Sequence, residues 1–192
     1  MTTEPDLKTG GASASLSMSA AAQPEVYQFG GLLWALEYNA YQARLGTGID
    51  AQTVNAMNAL LTAYAALEAL VTETASAIVP PLYADSKFRR GGLVYKFRRV
   101  LDETGRATET PPDIVQEISD NRIALTHSEP DNERSAKLGK VISATDALRF
   151  ARAVRKTADW LWQGKRPGAV AAAYDQVNGF LGSEDEAKFK AL

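Results

Sequence analysis

The stretch DAQTVNAMNALLTAYAALEALVTETASAIVPP, running from Asp50 to Pro81, decides the fold. Val54, Met57, Leu60, Leu61, Tyr64, Leu67, Leu70, Val71 and Ile78 recur at steps of three and four, which gathers them on one side of an α-helix. A strand would alternate at every second position, and this run does not. Asp50 is placed to cap the helix start, because its short carboxylate can accept from the open N–H groups of a first turn. Pro80-Pro81 stops the run, since proline offers no N–H and its ring collides with the turn before it. A long helix with one apolar side has to bury that side against other helices.

Working outward, a first helix is expected from Pro24, a residue favoured in first turns, to a break at Gly46-Thr47-Gly48. Residues 1–23 are rich in Gly, Ser, Thr and Ala without period, and read as a disordered tail. On the other side, a helical segment covers Lys87 to Leu101 with an interruption at Gly91-Gly92, and a loop follows from Thr104 to Pro112. A fourth helix runs from about Pro112 to His127, and Pro130 forbids its continuation. Ser143, with Asp146 three residues on, opens a fifth as a capping box. That helix turns Ala147, Phe150, Ala151, Val154, Ala158, Leu161 and Trp162 inward, and Arg149, Arg152, Arg155 and Lys156 outward. A sixth, from about Gly168 to Leu181, repeats the pattern through Val170, Tyr174, Val177 and Leu181. Trp160 and Trp162 read as core or dimer-interface residues. The expectation is an all-α, antiparallel bundle of about five to six helices, forming a single domain over residues 24–192.

Composition narrows the chemistry. The 192 residues suit one domain, and 45% hydrophobic with 23% charged residues is ordinary for a globular protein. Without cysteine, disulfides, thiolate metal sites and a cysteine nucleophile are excluded, and with a single histidine a structural zinc site is not expected. No cofactor or metal is expected. No apolar run approaches the roughly 20 residues of a membrane span, and the amino terminus lacks the basic and apolar parts of a signal peptide. An intracellular, cytoplasmic protein is therefore expected, with no membrane partner. The charge balance is −5 over residues 1–79, +5 over residues 80–170 and −2 over residues 171–192. A locally basic middle suits a polyanionic partner, although ordinary solvated faces carry imbalances of this size too.

No phosphate loop, dinucleotide fingerprint or nucleophile elbow occurs. What remains is EISDNRIALTHSEP, from Glu117 to Pro130, which holds Arg122 and the lone histidine, His127. This Arg-x4-His segment near the end of a late helix resembles the motif of the HEPN-like superfamily, whose members are helical bundles. The alanine-rich run around Glu68 is similar to a helix of that family, and the architectural likeness spans residues 24–182. The family commonly places a polar residue after the arginine, where this chain has Ile123, with Asn121 on the other side. The resemblance implies a metal-independent endoribonuclease, acting on RNA through Arg122 and His127 at the interface of a homodimer. It also implies membership of a toxin–antitoxin or defence pair, with an antitoxin or nucleotidyltransferase-type partner. The alternative is a catalytically silent dimerisation or binding module.

The chemistry of such a pair is coherent. A 2′-OH can attack its neighbouring phosphate if histidine moves the proton and arginine holds the growing negative charge. Five helical steps turn about 500°, so Arg122 and His127 stand about 140° apart on an ideal helix. They can cooperate if the helix end loosens, or if a second subunit completes the site. Asp120, seven residues before His127, is placed to orient the imidazole, and Thr126 to neighbour Arg122. Glu68 falls within the apolar run of the second helix, where a carboxylate needs a partner, and Arg122 is the natural candidate. Lys87, Arg89, Arg90, Lys96, Arg98 and Arg99 interleave with aromatics, a combination that can grip backbone phosphates and stack on bases. The more ordinary reading of that run is an amphipathic helix with its bases solvated.

Overall fold

The computed structural model describes residues 27–126, 142–163, 165–168, 170–172 and 174–175. The fold is all-α. Its helices are α1 (Gln28–Leu45), α2 (Ile49–Ile78), α3 (Pro80–Ala84), α4 (Ser86–Arg90), α5 (Leu93–Glu103), α6 (Asp113–Thr126) and α7 (Ala144–Leu161). The described residues between 168 and 175 are helical as well. Residues 1–26, including the expected tail, and the end of the sixth helix beyond residue 175 lie outside the described residues.

α1 and α2 are an antiparallel hairpin, with Asn39 donating to the Thr62 hydroxyl at 3.4 Å. Ala40 and Ala43 on α1 and Ala56, Ala59, Ala63 and Ala66 on α2 are fully buried, so the two backbones can approach closely. The buried side of α2 is therefore Ala56, Ala59, Leu60, Ala63, Ala66, Leu67, Leu70, Val71, Thr74 and Ala75. This corrects the expected stripe, because Val54 and Leu61 face solvent at 56% and 39% exposure. Bulk marked the sequence pattern, whereas the close neighbour selects small side chains. By length and composition α2 is apolar enough to cross a membrane, yet its buried side is spent on the bundle.

Two helix starts differ from expectation. α1 starts at Gln28 with Tyr27 as its N-cap residue, not at Pro24. The Glu73 carboxylate on α2 accepts from the N–H groups of Gln28 at 2.6 Å and Phe29 at 3.1 Å, fixing the start there from outside the helix. α2 is capped by Gly48, and Asp50 falls in its first turn, where its charge still complements the helix dipole. Pro80-Pro81 ends α2 and also opens α3, because a first turn has no use for the N–H groups proline lacks. The break at Gly91-Gly92 is as expected. A Cβ at Gly91 would lie 2.2 Å from the Tyr95 ring, so a larger residue there would have to displace that ring.

α7 lies against both α1 and α2. Its capping box is formed by Ser143 and Asp146, as the spacing predicts. Trp162 donates its indole N–H to the Thr74 hydroxyl at 3.0 Å and meets Phe29 and Tyr174 in an aromatic cluster. Arg155 corrects the sequence reading, since it turns inward and not out. It forms two charge-assisted hydrogen bonds with Glu37 of α1, a carboxylate left only 4% exposed. Burial on its own would lower the Arg155 pKa, but the hydrogen bonds and charge of Glu37 raise it.

α5 and α6 pack on α2 and on each other. Between them, Gly105 takes the left-handed conformation, φ 78°, that glycine adopts without strain. The next residue, Arg106, donates to the final carbonyls of α7, those of Trp160 at 3.2 Å and Leu161 at 3.0 Å. Glu109 holds the same guanidinium through two further hydrogen bonds of 2.6 Å.

Candidate functional site

α6 buries Val115, Ile118, Ser119 and Ala124, which leaves Arg122 half-buried on the flank that faces α2. Its guanidinium lies over the ring of Tyr64, 4.9 Å from the centroid. Such a contact is worth about 0.5–2 kcal/mol and restricts the side chain without consuming its charge.

One turn along α2 from Tyr64 stands Glu68, the expected partner of Arg122. Its carboxylate is taken instead by Lys96 of α5, with Nζ 2.5 Å from Oε1. Lys96 is buried, so the carboxylate that can neutralise it most effectively is the one within reach of its short ammonium. Tyr64 feels both neighbours. Burial raises its pKa, the charge and hydrogen bond of Glu68 raise it further, and Arg122 opposes them. The four side chains thus form a chain of contacts, Lys96 to Glu68 to Tyr64 to Arg122. Among the described residues, Arg122 at its end has no ion pair.

The supporting residues are arranged differently from the sequence reading. Asp120 is exposed and accepts from Gln116 at 2.9 Å. Asn121 is half-buried beside Arg122. The Thr126 hydroxyl donates to the carbonyls of Arg122 at 3.0 Å and Ile123 at 3.3 Å, which ties it to the helix backbone. Back-bonding of this kind loosens and bends a helix end. His127, next in sequence after the last residue of α6, lies outside the described residues.

A groove of about 640 Å³ opens on the same side of α2, lined in part by Tyr64, Glu68, Tyr83, Arg89 and Lys96. It collects two members of the basic run and separates the others. Lys87, Arg90 and Arg98 are exposed, while Arg99 is engaged by the Tyr95 hydroxyl at 3.1 Å and Glu103 at 3.2 Å. The run is split over α4 and α5, so its cations do not make one strip. No group of three His, Asp or Glu side chains among the described residues is arranged to hold a metal ion.

Sequence reasoning missed the role of Lys96, and the signal was available. The residue sits three positions after Leu93 and one before Phe97, on the buried side of a strongly amphipathic helix, and an amine there requires a carboxylate. It also missed Glu37, which follows Leu36 between Leu33 and Ala40 on the buried side of α1. Compared with known proteins, the chain matches no family model, no curated protein and no solved structure.

Proposed function

We propose that this chain acts on RNA in the manner of HEPN-like helical bundles, as a metal-independent endoribonuclease using Arg122 and His127 in a homodimer. The observation that carries the reading is the state of Arg122. Its guanidinium is held over Tyr64, and the acid that would have neutralised it is committed to Lys96. A guanidinium held in place and without an ion pair among the described residues is suited to a phosphate group.

In this reading His127 takes the proton from a ribose 2′-OH, whose oxygen then attacks the adjacent phosphorus. Arg122 holds the negative charge that builds on the phosphate oxygens. The bond to the 5′-oxygen breaks, a proton goes to that oxygen, and the products are a 2′,3′-cyclic phosphate and a 5′-hydroxyl end.

The test is cleavage of single-stranded RNA by the purified chain in excess chelator, with the ends identified by mass. His127→Ala and Arg122→Ala should each slow cleavage by about 10² or more, with melting temperatures close to wild type. A wild-type protein that leaves RNA intact under these conditions sinks the enzymatic reading.

Ile123 favours a second reading. A half-buried aliphatic residue directly after Arg122 suits packing better than chemistry, as in a catalytically silent dimerisation or binding module. That reading expects a dimer in sedimentation, and RNA recovered uncut.

A further inference from the structure

On the opposite end of the α1–α7 contact from the aromatic cluster lies a second concavity, of about 300 Å³. Its lining comprises Arg44 at the last turn of α1 and, along α7, Thr145, Leu148, Arg149, Arg152, Ala153 and Lys156. Four of these residues are cationic and none is acidic, in a chain whose Asp and Glu outnumber its Lys and Arg. The sequence pattern placed these arginines on a solvated face together with Arg155. The structure separates them. Arg155 is spent on Glu37, while Arg152 and Lys156 are exposed and have no ion pair among the described residues.

The groove is built, not merely charged. Glu117 of α6 grips Arg149 with two hydrogen bonds, 2.7 and 2.5 Å long, which fixes that side chain along the α7 surface. From Arg149 to Lys156 the row advances about 10 Å at 1.5 Å per residue. The positive end of the α7 dipole lies in the same groove, beside Thr145. Leu148 and Ala153 lie among these cations in the lining of the groove.

We propose that this α1–α7 groove binds the phosphate backbone of a single-stranded nucleic acid, with Arg152 and Lys156 as its phosphate contacts. A narrow, straight row set in a concavity fits one strand better than a flat lipid surface, which would call for cations spread over a plane. The inference does not depend on cleavage at Arg122 and His127, which belong to another helix.

The experiment measures binding of a fluorescent twelve-nucleotide oligothymidylate to the full chain by anisotropy, across a series of salt concentrations. This probe has no 2′-OH, so the cleavage chemistry proposed above cannot act on it, and loss of that activity leaves the result unaffected. Wild type should bind at low salt, with affinity falling linearly in log salt. Arg152→Glu/Lys156→Glu should weaken binding by roughly tenfold or more and reduce the slope by about 1.4, the value for two lost phosphate contacts on a single strand. Lys165→Glu, an exposed charge reversal outside the groove, should change neither. Melting curves of the variants confirm that they fold. The proposal is overturned if wild type does not bind the probe at low salt, or if Lys165→Glu weakens binding as much as the double variant. It is also overturned if anionic phosphatidylserine vesicles, and not the oligonucleotide, are what the double variant releases.

Discussion

Glu73 caps a helix to which it does not belong. Its carboxylate accepts the open N–H groups of Gln28 and Phe29, yet burial raises its pKa and the two backbone hydrogen bonds only partly oppose that shift. The folded protein therefore holds the Glu73 proton more tightly than the unfolded chain does. The stability this supplies is fully present below the ordinary carboxylate pKa and is lost as pH rises through the raised value. Glu73→Gln keeps an oxygen for both N–H donors and has no charge to bury. Its melting temperature should gain on wild type between about pH 4 and pH 7, with the difference closing at the acid end. A difference that does not vary with pH in circular-dichroism melts would refute the assignment. At this same scale, Glu68 shows why side-chain partners escape a linear reading. Its need for a partner could be seen in the sequence, but both Arg122 and Lys96 answered to it. The choice was made by the packing of α5, which buries Lys96 and leaves Arg122 to an aromatic ring.

At the scale of elements, the alanines of α2 decide how near α1 can come. Ala63→Leu would force a side chain into space already filled and should cost about 1–3 kcal/mol. Leu61→Ala, on the exposed side two residues earlier, should change stability by no more than about 0.5 kcal/mol. Urea unfolding of the two variants checks the pair, and a larger loss at Leu61 would mean that the outer side of α2 is the packed one. Most elements were legible because they carry strong local signals, such as the capping box at Ser143 and the break at Gly91-Gly92. The buried stripe of α2 was shifted because hydrophobic period is read most easily from large residues, and close helix packing is done by small ones. The start of α1 was not legible at all, since the group that fixes it lies 45 residues away in the chain.

Across the whole molecule, ionic contacts join helices that are distant in sequence, and burial sets their worth. Glu37 and Arg155 bridge 118 positions, with side-chain exposures of 4% and 19%. Glu37→Ala removes the carboxylate that neutralises this part-buried guanidinium and should cost about 3–5 kcal/mol. Glu117→Ala, which breaks the exposed pair with Arg149, should cost no more than about 1 kcal/mol. Chemical denaturation measures both, and equal costs would show that burial does not govern these pairs. The functional side of the molecule was legible only as residue types. Arg122 stood out by its spacing to the lone histidine, whereas the α1–α7 groove depends on Arg44 meeting a helix about a hundred positions later. The Arg106 clasp on the end of α7 has a further consequence, in the language of polymers. It closes a ring of chain, with its bond to the Leu161 carbonyl spanning 55 positions. For a closed ring, each doubling of its contour adds only about 0.6 kcal/mol of entropy cost. Chain length can thus change inside the ring, between α6 and α7, at little cost to the clasp on the end of α7.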